Sequence, residues 1–288
     1  MPNVSVIIPT FNRAHLIKES VSSVLAQTFK PKEVIVVDDG SSDKTWDILK
    51  NLGFSLSESR KNTLRYIYKE NGGGSSARNI GIELSSSEYV ALLDSDDQWK
   101  PSKLEAQLSS LKKESFSCRV SHTNEIWIRN GIRVNQHKKH SKNGGDLFEK
   151  CLKMCCISPS SALIHRTVFN DLGGFDESLK ACEDYDFWLR YCAFEETHFL
   201  NEQLTIKNGG HSDQLSQKYW GMDRFRIYSL EKLLKNKNLS RSKYELALTE
   251  LILKLKILMN GSMKRGKKDF TDELNKKIIH FESLLGNE

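Results

Sequence analysis

Several short polar clusters in this sequence have the residue types and spacing to do chemistry. Asp94, Asp96 and Asp97 place three carboxylates within four positions. Such a group repels itself unless something positive sits among its members. Hard oxygen donors of this kind suit Mg²⁺ or Mn²⁺, ions commonly shared with substrate phosphates. The competing role is a helix cap whose extra acids complement the macrodipole, and Asp97 alone could fill it. Asp38 and Asp39 close an apolar run, either as caps or as acceptors for a base or ribose. Gly72-Gly73-Gly74-Ser75-Ser76 lacks the order of a dinucleotide fingerprint and follows the third apolar run, not the first. It still lets backbone approach a ligand closely, with Arg78 behind it as a cation. Glu183-Asp184-Tyr185-Asp186 opens a helical segment, where an acid is either a dipole complement or a general base. Spacing alone does not separate those two. Gly209-Gly210-His211 adds an imidazole on a glycine-rich loop, where a lone histidine is more often structural than ligating.

The elements that must position these groups alternate between two periods. Apolar runs of strand length occupy 4–8, 33–38, 64–68 and 88–94. Helical spacing fills 17–28, 43–52, 75–84 and 101–113, the last with proline at its start. Strand–helix alternation predicts an α/β fold with a mostly parallel sheet covered on both faces. In such sheets ligands bind beyond the carboxyl ends of the strands, and those ends carry the acidic and glycine-rich segments. Alternation around Asn130-Gly131 predicts a hairpin over 125–135. One more strand is expected at 160–166 and a helix at 183–194. From Trp220 onward the chain reads as helices at 220–235, 242–264 and 270–285.

The 288 residues suffice for one large core plus an appendage. With 38% hydrophobic and 28% charged residues, composition argues against a disordered or fibrous chain. No run approaches the roughly 18 apolar residues of a membrane span. Met1-Pro2-Asn3 leads directly into a strand without the basic and apolar regions of a signal peptide, so a cytoplasmic protein is expected. The six cysteines lack paired spacing. Cys151, Cys155 and Cys156 read as small hydrophobes on a buried helix. The net charge of +6 is uneven: residues 224–288 hold 15 Lys and Arg against 8 Asp and Glu. The tail is thus expected to pack on the rest of the chain, form a homodimer or make peripheral contact with the inner face of a membrane. Its lysines lack interleaved aromatics, which argues against nucleic acid.

Taken together, the motifs resemble the family 2 glycosyltransferases of the GT-A fold. The matching segments are Val4–Arg13, Val34–Asp43, Asn71–Gly81, Ala91–Asp97 and Gly173–Arg190, whose order covers residues 1 to about 215. The resemblance implies a catalytic domain over 1–218, with a donor half at about 1–115 and an acceptor half at about 116–218, followed by a basic helical extension at 219–288. It implies a nucleotide-sugar donor, with a UDP-sugar as the default, bound by Pro9, Thr10, Arg13, Asp39, Arg78, Asp94 and Ser95. It further implies a divalent cation (Mn²⁺ or Mg²⁺) held by Asp96, with Asp94 and His211, and Asp184 as catalytic base. The expected activity is inverting transfer to a glycan or lipid-linked acceptor in envelope polysaccharide synthesis. A nucleotidyltransferase and a non-catalytic nucleotide-sugar-binding subunit are the alternatives. Trp127, Trp188, Tyr219 and Trp220 are candidates to stack on sugars, against the commoner fate of core packing.

Overall fold

The structure, a computed structural model, describes residues 2–57, 59, 61–210 and 219–285. They group into two compact units. The first comprises residues 1–145, 157–180 and 196–212, and the second 146–156, 181–195 and 213–288. This grouping assigns 146–156 and 181–195 to the same unit as the tail, whereas the sequence reading divides the chain once, at 218.

The first unit is built on a sheet that has ten strands among the described residues. Its parallel portion comprises β1 (Val4–Thr10), β2 (Glu33–Asp38), β3 (Ser55–Leu56), β4 (Leu64–Tyr68) and β5 (Tyr89–Leu92). The remaining strands are β6 (Gln98–Trp99), β7 (Val120–Arg129), β8 (Ile132–Val134), β9 (Ala162–His165) and β10 (His198–Gly209). The order is β3-β4-β2-β1-β5-β9-β7-β10-β6, with β8 paired to β7. β9 runs antiparallel between β5 and β7, and β10 then lies parallel to β7. The sheet is therefore mixed but mostly parallel.

Continuous apolar runs form β1 and β2 because both sheet faces are covered. On one face Val4, Val6, Ile8, Val34 and Val36 pack with Ile17, Val21 and Val24 of α1 (Ile17–Leu25) and Leu49 of α2 (Thr45–Asn51). Leu104, Leu108 and Leu111 of α4 (Lys103–Lys113) join the same core. On the opposite face lies α3 (Gly74–Leu84), whose Gly81 fits tightly over the sheet: a Cβ there would stand 2.3 Å from Ile7 Cγ2 and 3.2 Å from Val37 Cγ2. Pro101 lies in a turn two residues before α4, so it does not occupy the helix start expected for it.

In the second unit, α7 (Glu183–Cys192) buries Tyr185, Phe187, Trp188, Leu189, Tyr191 and Cys192. Tyr185 donates its hydroxyl to the carbonyl of Leu152 at 2.8 Å, tying α7 to α5 (Phe148–Lys153). Cys151 lies on α5, but Cys155 and Cys156 follow it, contrary to the expected shared helix. A further short helix, α6 (Thr167–Leu172), belongs to the first unit. The tail folds into α8 (Asp223–Leu234), α9 (Arg241–Met263) and α10 (Lys268–Leu285). Leu251, Ile252 and Leu255 of α9 are buried, and Leu258 is half-buried. No helix among the described residues is long and apolar enough to cross a membrane.

Candidate active site

The expected donor residues of the first unit lie at or just beyond the C-terminal ends of β1, β2 and β5, except Arg78, which lies on α3 behind the glycine turn. β1 ends with Pro9 and Thr10, both buried, and the Thr10 hydroxyl has no hydrogen-bond partner among the described residues. Arg13 follows, its Nη2 3.8 Å from Asp96 Oδ2. β2 delivers Asp39, only 3% exposed. Its Oδ1 accepts from the amide of Gly72 (2.9 Å) and from Lys69 Nζ (2.6 Å), and its Oδ2 accepts from the amide of Gly73 (2.7 Å). Asp39 therefore anchors the glycine turn through both oxygens. The turn needs glycine at 73, where φ is +94°.

Beyond β5 the chain enters the acidic corner. Arg78 donates from Nη2 to Asp94 Oδ1 at 2.8 Å, and its guanidinium lies 5.4 Å from the Phe175 ring centroid. Ser95 is buried, and its carbonyl accepts from Ser20 Oγ at 2.8 Å. Asp97 is no helix cap: Oδ1 accepts from the amide of Asn208 (3.0 Å), while Oδ2 accepts from Ser160 Oγ (2.6 Å) and faces Lys207 Nζ at 3.2 Å. Asn208 also donates its side-chain amide to the carbonyl of Asp96 at 2.8 Å.

The carboxyls in this corner are driven apart electrostatically. Burial raises the pKa of each, but Arg78 and Lys207 hold Asp94 below its ordinary value. Burial and the charge of Asp94 push Asp96 up against the weaker pull of Lys207 and Arg13. Asp97 is pushed up to about 7, mainly by burial, with Asp96 and Asp94 adding to the rise and Lys207 opposing it. Of the three, Asp96 has the longest ion pair, 3.8 Å to Arg13, and with its raised pKa its charge is neutralised incompletely.

Among the described residues no three His, Cys, Asp or Glu side chains gather to hold a metal ion. His211, the expected third donor, lies outside the described residues. The donor set that is described still fits a hard cation, because Mg²⁺ is commonly bound by one or two carboxylates, with phosphate and water completing its shell.

In the second unit, Asp184 sits in the first turn of α7. Its Oδ1 accepts from the amide of Tyr185 at 2.7 Å, and its Oδ2 accepts from the thiol of Cys155 at 3.1 Å. Sequence reasoning missed Cys155, together with Ser160, Lys207, Asn208 and Glu125. The last three lie on long strands whose ends the pattern blurs, and no motif marks Ser160 or Cys155. Of the aromatic candidates, Trp188 is fully buried in the core, while Trp220 is 52% exposed beneath the Arg224 guanidinium.

A model of the family described as Glycosyl transferase family 2 matches residues 5–173. The chain belongs to glycosyl transferase family 2. It is 36% identical over 217 residues to an uncharacterized glycosyltransferase of Rickettsia typhi, covering 74% of this chain and 65% of that protein. It is 37% identical over 186 residues to the UDP-Glc:alpha-D-GlcNAc-diphosphoundecaprenol beta-1,3-glucosyltransferase WfgD of Escherichia coli, covering 65% of this chain and 68% of WfgD. The matched region thus spans just under two thirds of the Rickettsia typhi protein, and 36% of a Rickettsia felis relative. Among solved structures, S. aureus TarS 1–349 in complex with UDP-GlcNAc superimposes with a TM-score of 0.75 at 21% identity, over 97% of this chain and 81% of that one. At that identity the likeness carries the fold alone, and this family 2 member has the GT-A-like architecture that its sequence motifs imply.

Proposed function

We propose that this chain transfers a sugar, with inversion, from a UDP-sugar to a hydroxyl of a glycan or lipid-linked acceptor in envelope polysaccharide assembly, working at the cytoplasmic side. The observation that carries this reading is the corner at the end of β5, where Asp94 is held by Arg78 and Asp96 is left incompletely neutralised. Family membership supports it, as do the names of relatives. WfgD is named for UDP-Glc and a diphosphoundecaprenol-linked acceptor, and TuaG of Bacillus subtilis for putative teichuronic acid biosynthesis.

In this reading Thr10, Arg13 and Arg78 bind the donor's nucleoside and phosphates, with Pro9 and Ser95 shaping the walls. Asp39 acts on the base side by holding the glycine turn in place. Asp96, with Asp94 and His211, would hold Mn²⁺ or Mg²⁺. When bound, the ion supplies positive charge against the departing diphosphate. Asp184 accepts the proton of the acceptor hydroxyl as its oxygen bonds to the anomeric carbon, and the bond from that carbon to the diphosphate oxygen breaks in the same displacement. The amide of Tyr185 and the thiol of Cys155 orient the carboxylate for that transfer. Residues 1–218 carry the reaction, and 219–288 serve packing, dimerisation or peripheral membrane contact.

The decisive experiment is a panel of nucleotide sugars with Mn²⁺, scored by the released product. UDP release supports the reading, whereas pyrophosphate release replaces it with nucleotidyl transfer. Asp184→Asn is expected to abolish transfer and preserve UDP binding. Near-normal turnover in that variant would remove Asp184 from the role of base.

A further inference from the structure

The acidic corner continues along one face of the sheet into a patch of opposite charge. Lys207, which faces Asp97, is paired in register with Trp127 on the neighbouring parallel strand β7. Side chains two residues apart share a face, so Glu125 lies beside Trp127 on that side. Glu125 is buried, accepts from Trp127 Nε1 at 2.8 Å through Oε2, and pairs with Lys142 Nζ at 3.1 Å through Oε1. Lys142 and Lys207 hold its carboxyl below the ordinary value despite burial. This carboxylate fixes the indole in one orientation at the rim of the corner.

Beyond Glu125 the chain that carries the indole is one-sided in charge. Residues 126–145 contain Arg129, Arg133, Lys138, Lys139 and Lys142, with no Asp or Glu. The His140 ring lies 5.2 Å from the Trp127 ring, and the Arg129 guanidinium 6.0 Å from its centroid. Lys138–His140 form a single 3₁₀ turn in which both lysines are exposed. Burial first, then Lys139, His137, Lys142 and Arg129, keep the His140 imidazole below its usual pKa. Glu125 is already shared by Lys142 and Lys207, so it does not offset the other cations. An aromatic face offers apolar surface to the C–H groups of a sugar ring, and exposed cations such as Lys138 and Lys139 recruit phosphate.

We propose that Trp127, with Arg129, Lys138, Lys139 and His140, forms a subsite for the phosphate-linked saccharide of the acceptor, the sugar stacking on Trp127 and the phosphate meeting the basic turn. This inference rests on the transferase reading, and it gives the acceptor a chemical class: a saccharide carrying an anionic phosphate or diphosphate at its reducing end.

The test is an NMR titration of the full chain with N-acetylglucosamine 1-phosphate, its uncharged methyl glycoside, and inorganic pyrophosphate. The sugar phosphate is expected to bind at least tenfold more tightly than the methyl glycoside. The double variant Lys138→Ala/Lys139→Ala should remove that advantage and leave UDP affinity unchanged. Trp127→Ala should weaken both sugars, and Trp127→Phe, which keeps a ring, should restore most of the loss. Equal binding of charged and uncharged sugars, or an undiminished preference in the lysine variant, would overturn the subsite. Pyrophosphate binding as tightly as the sugar phosphate, or UDP affinity falling with the lysines, would assign the patch to free phosphate or to the donor instead. Loss of affinity for anionic vesicles alone in the lysine variant would make it a membrane contact. UDP binding in the same preparation tests the transferase reading separately: if UDP binds and the sugar phosphate does not, only the subsite fails.

Discussion

The two ends of the parallel strands carry acid–arginine pairs of opposite character. At the start of β2, Glu33 is 3% exposed and accepts from Ser5 Oγ (2.7 Å), the amide and hydroxyl of Ser86 (2.7 and 2.9 Å) and Arg65 Nη1 (2.9 Å). Those bonds outweigh burial and hold its carboxyl below the ordinary value. Just beyond the end of β5, Asp94 also has an arginine at 2.8 Å, but its side chain is 24% exposed and the neighbouring Asp96 is raised, not lowered. One pair is a closed structural unit. The other stands beside Asp96, whose charge is compensated only in part, which costs stability and creates a place for a charged ligand.

Breaking the closed pair should have the largest energetic effect. Glu33→Gln takes the carboxylate away from the buried Arg65 guanidinium, and a loss of about 3–5 kcal/mol is expected in denaturant unfolding, with UDP affinity unchanged. Asp96→Asn should do the reverse: transfer falls by about 10²–10³-fold, while the melting temperature holds or rises because a like-charge contact is gone. Chelation by EDTA should mimic this variant, with Mn²⁺ or Mg²⁺ restoring activity. Full activity in chelator would separate Asp96 from any metal. Arg78→Met should weaken UDP binding by about tenfold, read by calorimetry. The smallest effect sharpens the contrast through pH. Because the folded-state pKa of Glu33 is depressed, its contribution is complete above the ordinary value of 4.5 and fades as pH falls through the folded value. The stability gap between the parent chain and Glu33→Gln should accordingly narrow below pH 4.5. A gap that stays constant into acid would contradict the assignment.

The parallel half was legible because its strands are buried on both faces and their ends are punctuated. Glu33–Asp38 and Leu64–Tyr68 appear as strands with the bounds their apolar runs predict. β10 was not legible. Its register slips twice against β7, between Leu200 and Gln203 and again before Thr205, so no period of two survives in the sequence. With it went Lys207 and Asn208, which brace the acidic corner from a strand distant in sequence. Asp94, Asp96 and Asp184 could be singled out because acids at a strand end or helix start are visible locally. The partners of these acids, Arg13 and Arg78 apart, come from elsewhere in the chain and leave no local signature.

Gly81 shows how closely structure and chemistry are tied together. Replacing an exposed helical glycine by alanine ordinarily stiffens a protein to advantage. Here the added methyl would collide with Ile7 and lever the whole helix outward, carrying Arg78 away from Asp94. An engineer seeking a hardier enzyme through that substitution would disturb the Arg78–Asp94 pair from behind, without touching either residue.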